Sequence, residues 1–79
     1  METMRGQAVI WKNGKAIPSW YTMGYDCTGK SAPHVKGAIM RQLKKASREE
    51  GAEKAEFFIH YSVYPSGPFI TENNGVYLP

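Results

Sequence analysis

The chain has 79 residues, of which 42% are hydrophobic and 13% aromatic, and this composition argues against a disordered protein. A chain of this length buries about 63% of its unfolded surface, which allows one small core and excludes a second domain and most multi-layer enzyme folds. Ten Lys and Arg against seven Asp and Glu give a net charge of +3, and no apolar run is long enough for a membrane span.

The charged residues are unevenly distributed along the chain. Residues 30–48 hold six cations and no acid, whereas residues 49–56 hold four Glu and one Lys. Cys27 is the only cysteine, so an internal disulfide is excluded, and the N-terminus lacks the apolar segment of a signal peptide. These features favour a cytoplasmic protein with a dipolar surface.

The first predicted element is a β-hairpin. Residues 6–12 alternate and are rich in β formers, and Asn13-Gly14 is a dipeptide typical of type I′ hairpin turns. The second strand is predicted from Lys15 to about Tyr25. Because Pro18 has no N–H for the ladder, we expect this strand at an edge of the sheet.

A helix is predicted after a turn-rich break at residues 24–30. Ser31 is placed to cap its start and Pro33 fits its first turn. The helix should run to about residue 50, where Gly51 is a natural stop. At about 100° per residue, the face expected in the core holds Val35, Ala38, Ile39, Gln42, Leu43 and Ala46. The opposite face holds Arg41, Lys44 and Arg48.

The strongest strand signal covers residues 56–64. One face of this strand, expected under the helix, holds Phe57, Ile59, Tyr61 and Val63. The other face holds Phe58, His60, Ser62 and Tyr64. After the break at 65–68, residues 69–78 are predicted as a short last hairpin that turns at residues 73–75.

The element order is therefore ββαβ with a short β tail. A right-handed crossover above the first strand makes the third strand antiparallel to the first, which gives the sheet order 2-1-3. We predict an α+β fold in which one small antiparallel sheet packs on one helix. Residues 1–79 form a single domain with its ordered core at about 6–64, and the tail 65–79 packs on that core or forms the short hairpin.

One segment matches a phosphate-loop motif. Residues 24–31 read GYDCTGKS and lie between a predicted strand and a predicted helix. A working nucleotide site also needs a parallel sheet and an Asp after a second apolar strand, and neither is predicted here. We expect a Gly-rich turn, and the alternative is an anion pocket at the helix start that comprises Lys30, Ser31 and His34.

No catalytic or metal-binding residue is predicted. Cys27 with His34 or His60 has no spacing typical of a thiol–imidazole pair, and one Cys with two His is a small ligand set for zinc. We expect no cofactor.

A sheet packed on a single helix has one face without a covering layer. The partner-binding residues predicted on that face are Phe58, His60 and Tyr64, joined by Trp20 from a neighbouring strand. Exposed aromatic residues in one patch are typical of a partner surface. Two alternatives stay open: the C-terminal tail covers this face, or a homodimer buries it.

The cations from the helix and its approach form a second candidate surface. The residues predicted to contact nucleic acid are Lys30, Lys36, Arg41, Lys44 and Arg48. This surface lies on the side of the molecule opposite to the aromatic sheet face. One strand of nucleic acid would therefore not easily contact both.

The layout resembles the small inhibitor proteins of phages and mobile elements, including anti-CRISPR proteins. The resemblance covers the architecture of residues 6–64 and involves no motif, so it transfers no site residue. It implies a non-catalytic interaction protein that binds and blocks a host protein or nucleoprotein complex. The alternative is direct nucleic-acid binding through the basic helix, and no membrane partner is expected.

Overall fold

Five elements form the fold in the computed structural model, which describes residues 2–29, 31–64 and 66–79, with the backbone alone at 18–25. In chain order they are β1 (Thr3–Lys12), β2 (Lys15–Asp26), α1 (Ala32–Glu49), β3 (Lys54–Ser62) and β4 (Ile70–Tyr77). The four strands form one antiparallel sheet in the order β2-β1-β3-β4. The predicted α+β class and the order 2-1-3 are confirmed, and β2, which contains Pro18, is an edge strand.

The predicted hairpin joins β1 and β2. Asn13 and Gly14 have φ angles of 53° and 74°, and Lys12 pairs with Lys15 across them. This is the geometry that a type I′ turn requires. β1 begins at Thr3, earlier than predicted, because its first residues find partners on both β2 and β3.

α1 has the predicted ends but starts without the predicted side-chain cap. The Ser31 carbonyl accepts the N–H groups of His34 and Val35, each at 3.1 Å, and the Ser31 side chain makes no capping hydrogen bond. Pro33 lies in the first turn as predicted. At the other end Gly51 follows the helix with φ of 70°, and its N–H donates to the Arg48 carbonyl at 3.1 Å.

α1 packs on β1 and β3 and buries one stripe of side chains against them. The stripe differs from the prediction at two positions. Gln42 is exposed, whereas Ser47 is fully buried because its hydroxyl donates to the Leu43 carbonyl at 2.8 Å. The largest buried side chains of the core are Ile10, Ile39, Leu43 and Phe57.

β3 is shifted toward the N-terminus relative to the prediction. Phe57 and Ile59 are buried under α1 as expected, and Tyr61 is half-buried. The strand ends at Ser62, so Val63 was wrongly placed in the core: its side chain is 51% exposed. The alternation of faces also ends there, two residues before Tyr64.

The C-terminal residues form one strand where the sequence predicted a short hairpin. β4 pairs with β3, and the register shifts between Glu56 and Phe58. At that shift Gly75 has φ of 89°, and its N–H donates to Asn73 Oδ1 at 2.8 Å. The residues that resemble a turn therefore form a β-bulge, because β3 offers its free edge as a partner for the whole segment.

The closest approach of α1 to the sheet occurs at Gly6. A Cβ atom on this residue would lie 2.5 Å from Ile39 Cγ2 and 3.1 Å from Leu43 Cδ1. Both side chains are fully buried in the core. We therefore expect Gly6→Ala to reduce the free energy of unfolding by about 1–3 kcal/mol, measured by urea denaturation.

The same change at Gly37 is the matched control. Gly37 lies inside α1, and an added Cβ would meet only Arg41 Nη1 at 3.5 Å. Gly37→Ala should stabilise the protein by about 0.5–1 kcal/mol, because Gly in a helix interior is less favourable than Ala by that amount. Equal effects of the two substitutions would contradict the packing described for Gly6.

Candidate binding surface on the sheet

We call the side of the sheet that faces away from α1 the open face. Strand alternation and the β1–β3 and β3–β4 registers place thirteen described side chains on it: Thr3, Arg5, Gln7, Val9, Trp11, Lys54, Glu56, Phe58, His60, Ser62, Thr71, Asn73 and Val76. Eleven are half-buried or exposed, whereas Thr3 and Ser62, which pair with each other at one end of the face, are buried. Within residues 2–29, 31–64 and 66–79, no helix or strand packs against this face.

His60 lies on the open face and connects three strands. Its Nε2 is 2.9 Å from Gln7 Oε1 on β1, and its Nδ1 is 2.8 Å from Thr71 Oγ1 on β4. A neutral ring satisfies both contacts when Nε2–H donates to Gln7 and Nδ1 accepts from Thr71. Burial, and then the charge of Arg5 opposite it on β1, lower the pKa of His60 below its ordinary value of 6.5.

Aromatic rings and cations occur together on the same face. The Arg5 guanidinium carbon lies 4.6 Å from the centroid of the Phe69 ring, and Lys54 Nζ lies 4.9 Å from the centroid of the Trp11 ring. Phe58 lies between these two pairs. The open face therefore offers aromatic surface and positive charge to the same partner.

The predicted partner-binding residues do not all lie together. Phe58 and His60 are neighbours on the open face, as the alternation predicted. Tyr64 lies beyond the end of β3, where it lines a shallow cavity of about 220 Å³ with Val63, Pro68 and Ile70. The side chain of Trp20 lies outside the described residues.

The structure describes only part of the anion pocket predicted at the start of α1. Lys36 turns toward β4, where its Nζ lies 2.7 Å from Glu72 Oε1. Ser31 and His34 are exposed, and Lys30 lies outside the described residues. The Lys36–Glu72 ion pair instead lines a cavity of about 430 Å³ between α1 and β4, whose other walls are mainly apolar.

Arg41, Lys44 and Arg48 on the outer side of α1 are exposed as predicted, and the last two contact β4. Arg48 Nη1 donates to the Tyr77 hydroxyl at 2.9 Å, and Lys44 Nζ lies 5.8 Å from the Tyr77 ring centroid. The Tyr77 ring also stacks on Phe57, with centroids 5.7 Å apart. Arg41 makes no such contact with β4 among the described residues.

Two backbone donors of the segment that resembles a phosphate loop are engaged within the chain. The Cys27 N–H donates to the Glu2 carbonyl at 3.0 Å, and the Thr28 N–H donates to Asp26 Oδ1 at 2.9 Å. Its strand, β2, is antiparallel to its neighbour β1. Among the described residues, no group of three His, Cys, Asp or Glu side chains is arranged to hold a metal ion.

Sequence reasoning did not assign a role to several residues of the open face. These are Arg5, Gln7, Lys54, Phe69, Thr71 and Asn73. The β1 and β3 members follow from the predicted antiparallel pairing, once β1 is extended back to Thr3. The β4 members depend on a pairing that no local signal reveals.

Comparison with known proteins found no family model, curated protein or solved structure that matches the chain. The likeness of its layout to anti-CRISPR proteins therefore stays a prediction. Within the described ranges α1 is the helix present, and it is too polar to cross the hydrocarbon core of a bilayer. The geometry of the open face is the basis for assigning a function.

The lowered pKa of His60 predicts an acid-sensitive stability. The pKa of His60 in the folded state lies below 6.5, so as the pH falls the unfolded chain binds the proton first. The contribution of neutral His60 to the free energy of unfolding is therefore present above pH 6.5 and should be lost as the pH falls through the folded-state pKa. Urea denaturation at a series of pH values measures this loss. His60→Gln should remove this component, and Arg5→Gln should raise the pKa of His60 observed by NMR. A folded-state pKa at or above 6.5 would contradict the description of the site.

The loop geometry also predicts that nucleotides do not bind. Isothermal titration with MgATP and MgGTP should give no heat beyond dilution, because the Cys27 and Thr28 donors are already engaged. A magnesium-dependent affinity in the micromolar range that disappears in Lys30→Ala would show that the loop does hold phosphate.

Proposed function

We propose that this protein is a non-catalytic binding protein that attaches through its open face to a host macromolecular complex and blocks it. The observation that supports this proposal is the set of aromatic rings and cations on a sheet face that no described element covers. Single-layer sheets normally bury their second face, so an uncovered aromatic face indicates a partner. The layout shared with phage and mobile-element inhibitors fits the same role.

The contacts of His60 support a binding role over a catalytic one. Its ring touches the Thr71 hydroxyl, which is the contact that a nucleophile and its base would make. The pair lies on an open sheet face, however, and it lines neither of the two cavities described above. The hydrogen bonds of His60 serve to hold β1, β3 and β4 together beneath the binding surface.

The edges of the sheet are less suited to a partner than its face. β2 contains Pro18, and β4 contains the bulge at Gly75. Proline and bulges at edge strands hinder the addition of a further strand. Contacts with another molecule are therefore expected on the open face.

Direct nucleic-acid binding through the basic helix has less support. Lys36 is paired with Glu72, Lys45 Nζ lies 3.9 Å from Glu49 Oε1, and Arg48 Nη1 donates to the Tyr77 hydroxyl. These cations have structural partners that a phosphate would have to displace.

Substitutions on the two sides of the molecule test the proposal. The protein is immobilised, complexes are captured from lysates of candidate bacterial hosts, and the affinity for the purified complex is measured. Phe58→Ala should weaken binding at least about tenfold, as truncation of a central aromatic residue does. Arg41→Glu, on the exposed side of α1, is the control and should change the affinity little.

The same measurement separates the two surfaces. Loss of binding in Arg41→Glu with full binding in Phe58→Ala would overturn the assignment to the open face and favour the helix. Thermal unfolding of each variant shows that a lost affinity is not a lost fold. Tyr64→Ala shows whether the cavity beyond β3 belongs to the contact area.

A further inference from the structure

We infer that the open face binds single-stranded nucleic acid, an inference that rests on the proposed function and narrows it to one class of partner. The inference depends on three properties of the face. These are the spacing of its rings and cations, its balance of charge and the polar side chains beside Phe58.

The rings and cations follow one line along the two central strands. Arg5 pairs with His60 and Trp11 pairs with Lys54, so the two cations lie at opposite ends of the β1–β3 pair. Six residues of strand separate the two ends, which corresponds to about 20 Å. Phe58 lies between them. An extended strand on this line would meet a cation at each end and an aromatic ring in the middle, which is how single-strand binding surfaces are built.

The charge on the open face complements a phosphate backbone. Its cations are Arg5 and Lys54, and neither is held by a carboxylate among the described contacts, since each lies against an aromatic ring. The one carboxylate among the thirteen side chains, Glu56, accepts a hydrogen bond from Asn73 Nδ2 at 3.1 Å. An anionic polymer therefore finds two cations against one carboxylate on this face.

Much of the face is polar where a protein interface would be apolar. Gln7, His60 and Thr71 are joined by hydrogen bonds beside Phe58, and Val9 and Val76 are the aliphatic side chains among the thirteen. Protein interfaces have a desolvated apolar core, whereas nucleic-acid bases combine a stacking surface with hydrogen-bonding edges. A sheet face without a protruding helix or ribbon also does not enter the major groove of a duplex. These features favour a single strand over a protein or a duplex.

Fluorescence anisotropy with labelled oligothymidine of about 12 nucleotides tests the inference. Two phosphate contacts should give a log–log salt slope of about −1.4, or about a sevenfold loss of affinity between 50 and 200 mM salt. Phe58→Ala should weaken binding at least about fivefold. An abasic strand of equal length should bind the wild type weakly and should not distinguish it from Phe58→Ala, because the stacking partner is missing.

Matched pairs of charge removals identify the surface that carries the strand. Arg5→Gln with Lys54→Gln should bring the salt slope close to zero. Arg41→Gln with Lys45→Gln removes the same number of cations from the outer side of α1 and should leave the affinity unchanged. Circular dichroism and urea denaturation confirm that each variant is folded.

Three results would overturn the inference. They are the absence of oligothymidine binding at 50 mM salt, tighter binding of the matching duplex, and loss of binding in the helix pair with retention in the open-face pair. If oligothymidine does not bind, but a nuclease-treated host complex is captured by the wild type and lost by Phe58→Ala, the partner is a protein. In that case the proposed function stands and only the nucleic-acid inference fails.

Discussion

The close contact between α1 and β1 at Gly6 is the constraint on which the rest of the structure depends. Without a side chain at this position, Ile39 and Leu43 lie directly on the sheet. The helix is thereby held above the two central strands, and its buried stripe meets the buried side chains of β1 and β3. One helix used in this way covers one side of the sheet, so the alternate residues of the same strands face outward.

The addition of β4 makes β3 an interior strand and completes the open face. Three contacts link β4 to the helix side of the molecule: Lys36 with Glu72, Arg48 with Tyr77, and Phe57 with Tyr77. Exposed ion pairs contribute little stability individually, but these contacts hold both ends of the strand. On the open face, β4 contributes the Thr71 hydroxyl that completes the hydrogen bonds of His60.

The two sides of the molecule consequently use cations differently. On the helix side, Lys36 pairs with the Glu72 carboxylate and Arg48 donates to the Tyr77 hydroxyl. On the open face, Arg5 and Lys54 lie on aromatic rings at a surface that no described element covers. Most cations in the sequence lie in or near the helix. The cations that lie beside aromatic rings on the uncovered side of the sheet are Arg5 and Lys54.

The sequence by itself determined the features that depend on neighbouring residues. The Asn13-Gly14 turn, the end of α1 at Gly51 and the edge position of Pro18 follow from backbone conformation and lost N–H groups, so they were predicted correctly. Only the tertiary structure decided that residues 70–77 form a strand, that β3 ends before Tyr64, and that Lys36 pairs with Glu72. The physical reason is sequence distance. These outcomes depend on the free edge of β3 and on side chains tens of residues away along the chain. No local sequence pattern indicates which of these groups will be in contact.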